Sequence, residues 1–291
     1  MNSRIICFGD VIDDIVVAPK GEIREDTDTP AIIRSRPGGS AANTAAWLGA
    51  LNASVDLVGV VGRGDCERHR AFLPGVNAVL REHPSLPTGR VVIIIRHDRR
   101  DMLTDRGANA DLSPDDVPDA LLEHARLLHF TGHILLNDDG YARTRTLIER
   151  CRAAGVLVSV SPGSAGFIRD IGIERARRAF AGADLVFCGM EDGRLLAGTD
   201  DLAAAALELS TRFGVAIVTR GSQGVTVAEQ GELYVLDIEP MPVVDPTGAG
   251  DAFCAGFLEN WISTWNVQAA AEAGADLAAD AVGVLGGRPS Q

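Results

Sequence analysis

Lysine is almost missing from this 291-residue chain: Lys and Arg together number 27, and Lys20 is the only lysine. A P-loop of the form GxxxxGK[ST] needs a lysine to carry charge to the β and γ phosphates, and Lys20 lies near no such loop, so that class of nucleotide site is excluded. Long apolar runs are also missing. Stretches such as Val91 to Ile95 reach only about five or six residues, where a membrane span needs roughly 20. The amino terminus, MNSRIICFGD, meets an acid at residue 10 before an h-region of about 7 to 15 apolar residues can form, which predicts a cytoplasmic protein. The five cysteines, Cys7, Cys66, Cys151, Cys188 and Cys254, never stand in a CxxC spacing, and the six histidines form no HExxH. Disulfide and zinc frameworks are therefore not expected, and reduced, buried thiols are. A formal charge of -13 argues against nucleic acid as a partner, because that affinity comes from many cations neutralising phosphates.

What is present suits one large α/β domain, or a core with a smaller appendage. Ile5 to Gly9 reads as a buried opening strand and Ser40 to Leu51 as a helix, with the next strand over Val55 to Val60. Strand and helix pairs continue with Leu127 to Thr131 and Tyr141 to Ala153, Val156 to Val160 and Glu174 to Ala181, Leu185 to Phe187 and Asp201 to Phe213, then Val215 to Thr219. This alternation predicts a doubly wound, mainly parallel sheet with helices on both faces and ligands bound beyond the carboxyl ends of the strands. Gly224 to Ala228 and Leu233 to Leu236 predict an antiparallel pair, and two helices follow residue 248. Segments 13–37 and 88–106 are charged and β-rich without helical period. They predict hairpin-like strands in a small sheet beside the core, with edge strands of the main sheet as the alternative.

The stretch VVDPTGAGDAFCAGF, residues 243–257, concentrates the chemistry. Gly248, Ala249 and Gly250 lead into an apolar helix, an arrangement that offers backbone N–H groups to an anion. A dinucleotide fingerprint does not fit, because the third glycine position is Phe253 and the loop is not followed by a βαβ unit. Two readings remain. In one, Asp251 favours the positive end of the helix and the glycines shape a turn. In the other, the amides stabilise a phosphoryl group in transfer while Asp251 takes the proton of the attacking hydroxyl. The second also accounts for Asp245 and Thr247 at the same entrance.

The loop resembles the D-x-x-G-A-G-D signature of the ribokinase-like (PfkB) sugar and nucleoside kinases. Gly38-Gly39-Ser40-Ala41-Ala42-Asn43 resembles the family's amino-terminal signature, some 200 residues earlier and in the right order. The resemblance implies Asp251 as catalytic base, with Gly248, Ala249 and Gly250 as the anion hole. Asp14, five residues after Gly9, would bind acceptor hydroxyls together with Gly39 and Asn43. Residues 107–112 resemble the GAN segment that returns the chain to the core. Thr219, Gly221 and Gly224 resemble the T-x-G-x-x-G nucleotide loop for ATP. The same resemblance divides the chain into an α/β core, residues 1–12, 38–87 and 107–291, and a small β lid, residues 13–37 and 88–106, through which a homodimer would form.

Departures from the pattern accompany it. The usual N-x-x-E is replaced by Gly189-Met190-Glu191-Asp192, which leaves Asp192 as the candidate for organising magnesium. Ser159-Val160-Ser161-Pro162-Gly163 replaces D-x-N-x-R and argues against a sugar acid gripped by arginine there. Val61 to Asp65 matches V-G-x-D-x-x-G only in part, and the helix after it looks shortened. The tail Gly286-Gly287-Arg288-Pro289-Ser290 resembles the segment that closes a monovalent-cation site, which would place Gly286 and Ser290 beside Asp245 and Thr247 around potassium. The expectation is an ATP-dependent kinase acting on a primary hydroxyl of a small sugar. A nucleoside kinase and a non-catalytic sugar-binding relative are the alternatives.

Overall fold

The computed structural model describes residues 3–96, 99–136, 140–239, 241–284 and 286–289. The chain runs through β1 (Ile5–Phe8), β2 (Ile12–Pro19), β3 (Ala31–Gly38), α1 (Ser40–Ala50), β4 (Val55–Gly62), α2 (Cys66–Arg70) and β5 (Val76–His83). It continues through β6 (Gly89–Arg96), β7 (Arg99–Asp105), α3 (Asp119–Leu122), β8 (Leu127–Thr131), α4 (Gly140–Ala153), β9 (Leu157–Ser161), α5 (Ala165–Ile171) and α6 (Ile173–Ala179). The last part holds β10 (Leu185–Gly189), α7 (Met190–Ala197), α8 (Leu202–Phe213), β11 (Val215–Thr219), β12 (Val225–Glu229), β13 (Glu232–Leu236), α9 (Ala249–Thr264) and α10 (Val267–Val282).

Nine strands form one sheet in the order β13-β12-β11-β10-β9-β8-β1-β4-β5. Every pairing from β11 across to β5 is parallel, while β12 and β13 run antiparallel. Strands covered on both faces are dominated by apolar residues, and β1, β4 and β8 are buried at every position, Asp56 and His129 included. On one face α1 and α9 pack together through residues such as Ala45, Leu48, Phe253 and Phe257, beside α10. On the other, Leu147, Ile148, Leu209 and Phe213 carry α4 and α8 against the sheet. The winding turns outward from β1 to β4 on one side and to β8 on the other, so β1 and β8 flank the switch point where a crevice opens beyond the carboxyl ends.

The two β-rich segments pair in a separate four-stranded sheet, β3-β2-β6-β7, and not at the edge of the main one. Strands β8 and β11 and the helix α8 lie where the sequence predicts them, and the segment after Asp65 makes only the five-residue helix α2. Strand β5 is the addition. Its residues are mostly half-buried at the sheet edge, so VNAVLREH lacks the continuous apolar character of an interior strand. Asn109, in the returning GAN segment, accepts from Val11 N at 3.1 Å and donates to Val11 O at 2.9 Å, which pins the backbone leaving β1.

His129 lies in the middle of the sheet, fully buried, with Nδ1 2.9 Å from Ser159 Oγ and Nε2 3.6 Å from Cys254 Sγ of α9. Burial pushes its pKa down to about 3, so it is neutral in the fold. Because the unfolded ring takes up a proton near pH 6.5, His129 contributes stability that is present above that pH and lost as the pH falls toward 3. The slope for one proton is about 1.4 kcal/mol per pH unit. Denaturant titrations of wild type and His129→Gln from pH 7 to 4 should differ by that slope, and the subtraction cancels the opposite contributions of acids with raised pKa.

Candidate active site

Helix α9 begins at Ala249 behind Gly248, whose φ of 78° turns the chain into it. A side chain at Gly248 would bring a Cβ within 2.4 Å of Gly287 Cα, so the tail and the helix start approach at backbone contact. The first N–H groups of a helix lack partners within it, and those of Ala249 and Gly250 stand at this entrance. Asp251 follows in the first turn. Ser40 Oγ donates to its Oδ1 at 2.5 Å and Asn43 Nδ2 to its Oδ2 at 2.9 Å, both from α1. Burial pushes the Asp251 carboxyl up to about 6, against the lowering by these two bonds and by the Arg288 and His133 charges.

Helix α1 is delivered to this point by Gly39, its N-cap, at φ 96°. A Cβ there would lie 2.2 Å from Asp10 O, so only glycine lets the helix start this close to β1. Asp14 of β2 is buried, and burial pushes its carboxyl up to about 6, with Arg288 opposing and Asp251 adding to the rise. Asp10 behaves otherwise: burial alone would raise it, but His133 and Arg106 hold it below the ordinary range. His133 Nδ1 and Arg106 Nη1 lie 3.2 and 3.3 Å from the same Asp10 oxygen. Since Asp10 follows β1 and His133 follows β8, this ion group spans the switch point.

The tail enters the same place. Gly286 N donates to Asp245 Oδ2 and Thr247 N to Asp245 Oδ1, each at 2.9 Å, so one carboxylate ties the tail to the turn before α9. Trp47 Nε1 donates to Gly287 O at 3.0 Å. Arg288, only 8% exposed, donates from Nε to Asn43 Oδ1 at 3.1 Å, from Nη2 to Gly38 O at 2.8 Å and from Nη1 to Phe72 O at 3.4 Å.

Asp251, Gly248, Ala249, Gly250, Gly39, Asn43 and Asp14 are thus gathered around one region, with Asp245, Thr247 and Gly286 behind it. Ser290 lies outside the described residues. Thr219, Gly221 and Gly224 stand at the carboxyl end of β11, where Arg220 N donates to Gly224 O at 2.7 Å and closes the loop. Arg220 itself is fastened to Leu236 O and Asp237. Asp192 is not brought to Asp251: its Oδ2 accepts from Gly189 N at 2.9 Å and caps the start of α7. Among the described residues, no three of His, Cys, Asp or Glu converge as a metal centre.

Sequence reasoning missed Ser40, Asp10, Arg106 and His133 as members of this region, and quoted Arg288 only as part of a cation-binding tail. Their partners lie 96 to 250 positions away, which leaves no local pattern to read.

The model of the pfkB family carbohydrate kinases matches residues 2–291, and the chain belongs to that family. A fructokinase of Klebsiella pneumoniae is 29% identical over 89% of this chain and 84% of its own. An ATP-dependent ribose-1-phosphate kinase of Halopiger xanaduensis is 29% identical over 92% of this chain and 88% of its own. In fold, the chain superposes on the adenosine kinase of Sinorhizobium meliloti with a TM-score of 0.87 at 24% identity, covering 100% of this chain and 97% of that one. The protein is a carbohydrate kinase of the pfkB family.

Two glycines of the loop should separate by experiment. Gly248→Ala meets backbone at positive φ and should lose about 2 kcal/mol or more in denaturant unfolding. At Gly250 a Cβ meets nothing within 4 Å, so Gly250→Ala should keep its melting temperature or gain up to about 1 kcal/mol of helix propensity, while turnover falls as the methyl enters the anion's space.

Proposed function

We propose that the protein transfers the γ-phosphoryl group of ATP to a primary hydroxyl of a small neutral sugar, with Asp251 as general base. The observation that carries this reading is the Asp251 carboxylate: it is held in the first turn of α9, where Ser40 and Asn43 donate to it, with a pKa of about 6. Such a group is unprotonated at neutral pH yet basic enough to accept the hydroxyl proton as the oxygen attacks. The amides of Gly248, Ala249 and Gly250 face the charge that develops on the phosphoryl oxygens. Asp14, Gly39 and Asn43 hold the acceptor, and Thr219, Gly221 and Gly224 the nucleotide. The Halopiger relative's name supports ATP as donor.

What favours a neutral acceptor is that the basic side chains around the site are already engaged. Arg288 is bonded to Asn43 and two carbonyls, and Arg106 and His133 are paired with Asp10. Arg68 makes two bonds to Asp13, at 2.7 and 2.8 Å. A phosphate on the acceptor would need one of these to be released. A nucleoside carries the same ribose hydroxyl, and the likeness in fold to an adenosine kinase keeps it as the second reading. Magnesium belongs to this proposal as part of the ATP substrate, with Asp192, whose Oδ2 caps α7, as the residue to organise it. Potassium would be held by carbonyls beside Asp245, Thr247 and Gly286.

Residues 13–37 and 88–106 would act as a lid over the core of residues 1–12, 38–87 and 107–291, excluding water that would otherwise hydrolyse ATP. One face of the lid sheet carries the exposed Ile33 (63%) and Leu103 (61%) with half-buried Ile15, Val17, Val92 and Ile94 between them, an apolar surface suited to a second copy. Sedimentation should show a dimer, and Ile33→Glu a monomer.

Asp251→Asn should fold and bind ATP while transfer falls by about 10² to 10⁴ or more. In wild type, kcat should be level above pH 6 and fall tenfold per unit below it, because protonation removes the base. A panel of fructose, ribose, ribose 1-phosphate and adenosine, read by ADP release, identifies the acceptor. Equal turnover in Asp251→Asn would refute the mechanism, and sugar binding with no ADP release from any acceptor would leave a non-catalytic relative.

A further inference from the structure

Arg288 cannot accept a hydrogen bond, and this decides the orientation of Asn43. The Asn43 amide has a donor end and an acceptor end of nearly equal size. With Nε of Arg288 3.1 Å from one end, that end must be Oδ1, and the NH2 end must face Asp251 Oδ2, 2.9 Å away. The reverse orientation would set donor against donor and oxygen against carboxylate. The guanidinium is itself fixed by the carbonyls of Gly38 and Phe72, so three separate segments hold it in place. Its burial lowers its pKa only to about 10, so it remains charged, and Asp14 and Asp251 both feel that charge.

We propose that Arg288 is a positioning residue for phosphoryl transfer: through Asn43 it aims the donor that holds the Asp251 carboxylate. The proposal rests on the reading of Asp251 as base. A purely structural rivet would be worth stability and nothing more. A relay also sets the proton affinity of Asp251 and the state of the Asn43 amide. The groups that face Asp251 are Ser40 and Asn43 of α1, Asp14 of β2, Cys7 of β1, His133 beyond β8, Cys254 of its own helix, and Arg288. Of these, Arg288 is the permanent cation, and it alone also bonds Asn43.

The test is NMR on the full-length isotopically labelled chain in wild type, Arg288→Met, Arg288→Lys and Asp251→Asn. The Asp251 carboxyl signal is the one absent from Asp251→Asn. In Arg288→Met its midpoint should rise by half a pH unit or more, about threefold in proton affinity, and the Asn43 side-chain NH2 should lose its protection from exchange. Arg288→Lys keeps the cation and one donor, and should return the midpoint toward wild type. Wild-type values of both signals in a folded Arg288→Met would overturn the relay. If Arg288→Met does not fold, the lysine variant decides: a displaced Asn43 signal supports the relay, and an unmoved one overturns it. Transfer surviving in Asp251→Asn would instead remove the base reading, whereas an unmoved Asp251 titration beside an inactive Asp251→Asn removes the relay alone.

Discussion

A carboxylate that is to act as a base has to be partly withdrawn from water, and a withdrawn carboxylate has to be bonded. Asp251 meets both demands at the start of α9, and much of the surrounding architecture follows from the need to supply its donors. Those donors come from α1, the helix of the crossover between β1 and β4. For them to arrive, α1 must start against the backbone leaving β1, which is why Gly39 stands at its cap. The backbone leaving β1 is in turn fixed by Asn109, so the returning segment from the smaller sheet takes part in the same construction.

The switch point of the sheet supplies the other half of the arrangement. A parallel sheet that winds both ways leaves a gap where its direction reverses, and polar groups can enter there without interrupting the core. Here the gap receives acids with basic groups beside them: Asp10 with Arg106 and His133, and Asp14 and Asp251 with Arg288. Local pairing, and not the overall field, sets the chemistry available to a ligand.

Much of this was legible in the sequence, and the limits are physical. Interior strands such as β8 and β11 could be read because burial on both faces demands unbroken apolar runs. The edge strand β5 could not, since its half-exposed positions admit Asn77, Arg81 and Glu82. The glycine loop and Asp251 were visible because backbone geometry restricts the residues allowed at a tight turn before a helix. Arg288 and His133 were not, because an ion pair constrains charge and distance in space but imposes no spacing along the chain. Asp192 shows the converse: a first-turn acid is equally readable as a metal partner or a cap, and its bond from Gly189 N is compatible with both.

The segment 286–288, lodged between α1 and the start of α9, has a consequence for how the molecule forms. Its bonds to Asn43 and Gly38 join residues 245 and 250 positions apart, and Ser40 meets Asp251 across 211. Contacts that distant carry the largest loop-closure cost, and they form only once the sheet between them has placed both partners. The nine-stranded layer can therefore exist before the crevice is closed. Local opening of the native protein should run the same order backwards, with the tail withdrawing while the sheet stays intact.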